Sequence, residues 1–141
     1  MSKGNLRDVI VNRLKSKGLR VTPQRFAVYA NLCSRRDHPT VEQILKDLNQ
    51  DFPISSQATV YTSLQALRKV GLVKEVLLEE GVSRYDANVE PHHHFHCRQC
   101  GSIKDVPWDT FDSFNLERLP YLAESYEVTI RGLCDRCTGN N

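Results

Sequence analysis

An α+β fold in two parts is predicted by three features of this 141-residue chain. Segments with helical periodicity fill the first half and are followed by two strand-like runs. Four of the five cysteines fall in the second half as two close pairs, Cys97-x-x-Cys100 and Cys134-x-x-Cys137. That half also carries few large apolar side chains, so a bound metal must supply stability that its small core lacks.

The first helix is expected from Leu6 to Lys17, with Leu6, Val9, Ile10 and Leu14 on one side and Gly18 as its stop. Thr22-Pro23 opens the second, hydroxyl cap then proline at the first helical position, and turns Phe26, Tyr29, Leu32 and Cys33 inward. Cys33, the unpaired cysteine, reads as core filler on this face. A third helix starts at Thr40, whose spacing to Gln43 makes a capping box, and buries Val41, Ile44, Leu45 and Leu48. The fourth begins after Pro53, is capped by Ser55 or Ser56, and runs from about Gln57 to Val70 before Gly71. Val60, Leu64 and Leu67 form its apolar stripe, whereas Gln57, Tyr61, Thr62, Gln65 and Arg68 make a hydrogen-bonding face with few acids. Leu72 to Leu78 and Val82 to Asp86 are strands joined by Glu79-Glu80-Gly81.

Helices followed by a hairpin make a winged helix-turn-helix over residues 1–86, with a hinge at about 87–91. In that arrangement the helix before the wing enters a DNA major groove. Charge supports a polyanionic partner. Residues 1–36 hold Lys3, Arg7, Arg13, Lys15, Lys17, Arg20, Arg25, Arg35 and Arg36 against Asp8 alone, and the remainder is acidic overall. A helical protein-interaction domain has the same burial pattern and stays open on these features alone. The acidic Glu79-Glu80 tip argues against the wing tip itself touching phosphate.

Residues 92–141 form the second part, an α/β unit. His92 to Cys97 is a strand, Ser102 to Val106 its partner, Asp109 to Leu119 a short helix stopped by Pro120, and Tyr121 to Leu133 a longer strand. Two C-x-x-C turns at this separation are the spacing of a closed tetrahedral zinc site, Cys97, Cys100, Cys134 and Cys137, with no position left for a substrate. A thioredoxin-like redox pair instead requires one C-x-x-C at a helix start in a βαβ setting. Dimerisation is the natural remedy for so small a core, and a palindromic DNA site asks for two recognition helices. Free thiols, a charged N-terminal segment and no apolar run near the ~20 residues of a membrane span make the chain a cytoplasmic protein in expectation.

Upstream of the first knuckle, His92 and His94 alternate onto one strand face about 6.6 Å apart, and His96 shares their parity. Periodicity alone does not separate the three. In order along the chain, Arg20-x-Thr22-Pro23-Gln24-Arg25, His38-Pro39-Thr40, Ala58-Thr59-Val60-Tyr61, Arg84-Tyr85-Asp86, His92-x-His94 with Cys97-x-x-Cys100-Gly101, and Gly132-Leu133-Cys134-x-x-Cys137 resemble the ferric uptake regulator superfamily. The resemblance implies a homodimeric, DNA-binding repressor that is not an enzyme, with one structural Zn(II) per subunit. It also implies one regulatory Fe(II) or Mn(II) per subunit, held by His38, Asp86, His92, His94 and Asp105. His93 and His96 become bystanders. Arg20, Gln57, Tyr61, Thr62 and Gln65 are then the expected DNA contacts.

Nitrogen and oxygen donors without thiolate suit Fe(II) and Mn(II) by ligand type and geometry. Asp105, where iron-sensing members commonly carry glutamate, resembles the peroxide-responsive branch, in which His38 or His92 would take up oxygen and release the metal. Pro91 replaces a histidine of a further metal site found in many members, so that site is expected to be absent. Two alternatives stay open on sequence: an iron sensor that responds only by metal loss, and a zinc-bound thiol redox protein.

Overall fold

In the computed structural model of the protein, the described residues are 5–35, 37–51, 55–79, 81–111 and 115–139. Lys3, Arg36, Pro53 and Glu80 therefore lie outside them, as do residues 112–114 of the expected helix. The chain divides into two compact units, Met1–Val89 and Glu90–Asn141.

In the first unit, α1 (Leu6–Ser16), α2 (Pro23–Ser34), α3 (Val41–Asp51) and α4 (Gln57–Lys69) precede the hairpin of β1 (Lys74–Glu79) and β2 (Val82–Asp86). The helix boundaries follow local chemistry. Thr22 and Ser56 cap α2 and α4 by accepting from the N–H groups of Arg25 and Thr59, each at 3.1 Å. At α3, Gln43 Oε1 accepts from the N–H of Thr40 at 2.9 Å and Thr40 Oγ1 from that of Gln43 at 3.2 Å, the reciprocal capping box. Two helices end alike. Gly18 and Gly71, at φ +76° and +81°, let the next residues donate back, Leu19 to the Leu14 carbonyl and Leu72 to that of Leu67, both at 3.0 Å.

Ile10, Leu14, Val28, Tyr29, Leu32, Ile44, Val60, Leu64 and Leu67 bring the helices onto one core, which Leu72, Val73 and Tyr85 close from the hairpin side. Leu6, expected inward, is 59% exposed because it sits in the first turn of α1, ahead of the Ile10 and Leu14 contact. Likewise β1 begins at Lys74 and not at Leu72, since Leu72 and Val73 are committed to the end of α4 and the core. The hairpin pairs Lys74 with Asp86 and Val76 with Arg84, then loses register between Val76 and Glu79.

The second unit is a three-stranded sheet in the order β4 (Ile103–Val106), β3 (His93–Cys97), β5 (Thr129–Gly132). β3 runs antiparallel to β4, with His94 opposite Asp105, and parallel to β5, with Cys97 beside Gly132. Two expectations are corrected here. The helix over 109–119 is replaced among the described residues by two short 3₁₀ turns, Trp108–Thr110 and Leu116–Arg118. Neither turn buries a residue, so no apolar face drives a longer helix, and Pro107 and Pro120 bracket the segment. The strand over 121–133 shrinks to Thr129–Gly132, the stretch that finds a β3 partner; Tyr121 and Leu122 before it are 76% and 86% exposed.

Candidate metal centres and nucleic-acid face

The two cysteine knuckles converge in the second unit. Sulfur atoms of Cys97, Cys100, Cys134 and Cys137 all lie within 4.8 Å of one another, and those of Cys100 and Cys134 are 3.8 Å apart. A tetrahedral ion with ~2.3 Å metal–sulfur bonds separates its sulfurs by about 3.8 Å, so the donor set fits zinc. Parallel pairing of β3 and β5 produces this meeting, because it ends both strands side by side and each knuckle leaves its own strand end.

The electrostatics also call for a cation. Cys97 is buried, and its thiol is held down at about 5 by N–H donors from Cys100 at 3.5 Å and Cys134 at 3.4 Å. Ser102, whose hydroxyl lies 3.1 Å from the Cys100 sulfur, lowers that thiol too. Cys137 is pushed the other way, up to about 12, foremost by its interaction with the Cys134 sulfur. Four thiolates cannot share this space without a divalent ion to neutralise them.

On β3 the histidines divide by strand parity. The Nε2 atoms of His92 and His94 approach one oxygen, Oδ1 of Asp105, at 3.2 and 3.8 Å. His92 Nδ1 is 2.6 Å from the Glu90 carbonyl, which can only accept, so Nδ1 donates there and Nε2 is the nitrogen turned toward Asp105. A second carboxylate, Glu127, lies 3.8 Å from His94 Nδ1. The sequence reading missed Glu127, which precedes β5 and comes near only because β5 runs alongside β3. His93 faces the other way, fully buried, stacked on Trp108 with centroids 4.6 Å apart and edge-on to Phe111 at 5.0 Å. Its Nδ1 accepts from the N–H of Val128 at 3.0 Å, so His93 is a core residue of this unit.

The first unit has a donor pair of its own. Nε2 of His38 is 3.2 Å from Asp86 Oδ2, with the imidazole almost wholly buried. His38 has φ +52°, a left-handed conformation rare for a residue other than glycine, and the surroundings hold it there. Arg84 donates to the His38 carbonyl at 3.2 Å and the Tyr85 N–H to the Pro39 carbonyl at 3.0 Å. Ahead of it Arg35 is tied to Asp37 and Asp47, both at 2.8 Å, and this bond holds the Asp37 carboxyl below its usual value.

Of the expected DNA contacts, Arg20, Gln57, Tyr61 and Thr62 are exposed and Gln65 is half-buried. Gln57, Tyr61 and Gln65 follow one another at helical spacing along α4. Arg68, which the sequence reading placed on this face, turns toward the hairpin and pairs with Glu75 at 3.0 Å and with Gln65 at 3.3 Å. Gln57 likewise reaches Glu42 of α3 at 3.3 Å. No helix among the described residues is long and apolar enough to cross a membrane.

A four-helix unit with a β-hairpin wing, followed by a β unit carrying a four-thiolate cluster and a histidine–carboxylate donor set, defines a winged-helix metalloregulator. The chain belongs to the ferric uptake regulator family, whose model matches residues 16–128. It is 37% identical over 129 residues to the peroxide-responsive repressor PerR of Staphylococcus aureus, a match covering 88% of this chain and 86% of that protein. Among solved structures, the Campylobacter jejuni peroxide stress regulator is similar at TM-score 0.69 and 25% identity, covering 94% of this chain and 99% of the other. The Helicobacter pylori ferric uptake regulator shares the fold at TM-score 0.73 and 22% identity, covering 98% and 97% of the two chains.

Proposed function

We propose that this protein is a homodimeric, cytoplasmic transcriptional repressor that binds palindromic operator DNA in its metal-loaded form and is released by hydrogen peroxide. Each subunit holds one structural Zn(II) on Cys97, Cys100, Cys134 and Cys137 and one regulatory Fe(II) or Mn(II) on His38, Asp86, His92, His94 and Asp105. Ligands from both units on one ion would fix the spacing of the two recognition helices in the dimer. A metal that favours that arrangement by roughly 2 to 3 kcal/mol changes operator occupancy ~30- to 150-fold. Arg20, Gln57, Tyr61, Thr62 and Gln65 then meet the operator.

Fe(II) bound in such a site would activate hydrogen peroxide by lending it an electron that the oxidised imidazole returns, so the ring is the net reductant, whereas Mn(II) would not. The chain's part is to present an imidazole carbon of His38 or His92, which gains one oxygen atom while peroxide leaves as water. The altered ring no longer offers the basic nitrogen that made it a ligand, and the operator is let go. The observation that carries this reading is Asp105, a short carboxylate with one oxygen facing both His92 and His94, in a chain similar to the PerR repressors.

The test is operator binding by the Fe(II) and Mn(II) forms before and after low peroxide, with peptide mass spectrometry on the same samples. Release of the Fe(II) form alone, with a single added oxygen on His38 or His92, is the expected result. An Fe(II) form that stays bound and unoxidised would make the protein an iron-responsive repressor without peroxide sensing.

A further inference from the structure

We propose that the cleft between the first turns of α2 and α4 is a phosphate-binding site that seats one phosphodiester of the operator backbone, with Arg25 and Ser63 as its principal groups. This rests on the repressor reading above and adds residues outside the recognition face. Thr22, Gln24 and Arg25 line one wall of the cleft and Thr59, Thr62 and Ser63 the other.

Several independent features make the cleft suited to an anion. Two long helices open onto it, of 12 and 13 residues, and neither has an acidic residue in its first turn. By contrast α1 and α3 carry Asp8 and Glu42 there, which offset the positive end of the helix dipole. The starts of α2 and α4 keep that partial charge uncompensated, and the Gln24 N–H in the first turn of α2 has no acceptor within its helix.

Arg25 adds a full charge. Its Nη1 donates to the Arg20 carbonyl at 3.0 Å, which braces the side chain while leaving its other donors uncommitted. Among the described residues no carboxylate pairs with Arg25, whereas Arg35 and Arg68 are both matched by acids.

Ser63 points to a ligand by itself. It is 5% exposed, lines the cleft, and its hydroxyl makes no hydrogen bond among the described residues. That hydroxyl opens onto the cleft uncommitted, so it can donate to an anion seated there. Thr62, next to it in the wall, already donates to the Ala58 carbonyl at 2.8 Å, which leaves Ser63 as the free donor of the pair. Because Thr62 also belongs to the polar face of α4, a phosphate seated here would set the depth and register of that helix over the bases.

The experiment uses full-length, zinc- and Mn(II)-loaded protein, a duplex containing the operator, a scrambled duplex, and inorganic phosphate as the free-anion probe. Arg25→Gln and Ser63→Ala are expected to weaken operator and scrambled duplex by the same factor, on the order of 3- to 10-fold. For Arg25→Gln the slope of log affinity against log salt should become shallower by about one, and Arg25→Lys should restore it. Replacing single phosphates by neutral methylphosphonates should identify a position per half-site that weakens the wild type and leaves Arg25→Gln indifferent.

Wild-type affinity and slope in Arg25→Gln overturn the clamp while leaving the repressor reading intact. A variant that shifts operator preference overturns it too, since that marks a base contact. Inorganic phosphate that displaces the duplex at micromolar concentration marks a free-anion site and overturns the backbone assignment. Wild-type protein that binds no duplex overturns both readings. Should Arg25→Gln fail to fold, the same scan on Ser63→Ala decides, because a variant that keeps wild-type sensitivity at every phosphate overturns the proposal.

Discussion

Asp105 Oδ1 stands 3.2 Å from His92 Nε2 and 3.8 Å from His94 Nε2, so one carboxylate oxygen serves two imidazoles. The short aspartate arm reaches them from the adjacent strand, where its backbone lies directly opposite His94. Glutamate would carry the carboxylate one methylene further. Asp105→Glu is expected to keep metal-dependent operator binding and to slow oxygen uptake at His38 and His92. Peptide mass spectrometry after a peroxide pulse measures this, and wild-type oxidation in the variant would remove Asp105 as the discriminating residue.

Zinc should be indispensable to the second unit. Its buried apolar residues are few, and the cluster joins two knuckles that are distant in sequence. Cys100→Ser is expected to lose tight zinc, the β-sheet of this unit and the dimer. Metal analysis beside sedimentation reads all of this, and a zinc-free wild-type dimer with intact secondary structure would contradict it.

Sequence discrimination should reside on the outward side of α4. Tyr61 is 51% exposed there. Tyr61→Ala is expected to lose ~1 to 3 kcal/mol of preference for the operator over altered sites. Arg20→Ala should weaken all duplexes alike with a flatter salt dependence. Unchanged operator preference in Tyr61→Ala would move the recognition surface elsewhere.

Gly71 ends α4 at φ +81° with nothing within 4 Å of where a Cβ would stand. Substitution therefore adds backbone strain without a clash. Gly71→Ala should lower the stability of the first unit by about 1 to 2 kcal/mol, and Gly71→Asn by less, because asparagine tolerates the left-handed region. Denaturant melts of the two variants compare them directly; equal losses would mean that something other than the conformation is responsible.

What was legible in the sequence was chemistry confined to a few neighbouring residues. Thr22-Pro23, Thr40 with Gln43, and the glycines after α1 and α4 act within a turn or two of themselves, and they set the starts of α2 and α3 and the ends of α1 and α4. Cysteine spacing carries similar local information, and all four sulfurs of the two C-x-x-C turns do come together. Features set by distant partners were hidden. The strand expected over 121–133 is one of them, since pairing with β3 reaches only Thr129–Gly132. Glu127 gains its place beside His94 from that same pairing. The side-chain roles of Arg68 and His93 were settled by Glu75 on the hairpin and by Trp108 and Phe111, none of which periodicity could have chosen.

The pairing of Cys97 with Gly132 gives the thiolate cluster a consequence for the histidines upstream. Side chains on a strand alternate faces, so a slip of β3 by one residue would exchange His93 and Phe95 for His92 and His94. The aromatic pocket would then receive His92 or His94, and Asp105 would face a phenyl ring. Anchored at its end by four sulfurs, β3 has no freedom to slide. An ion held by the four cysteines would thus act as the index mark that keeps His92 and His94 on the face of Asp105.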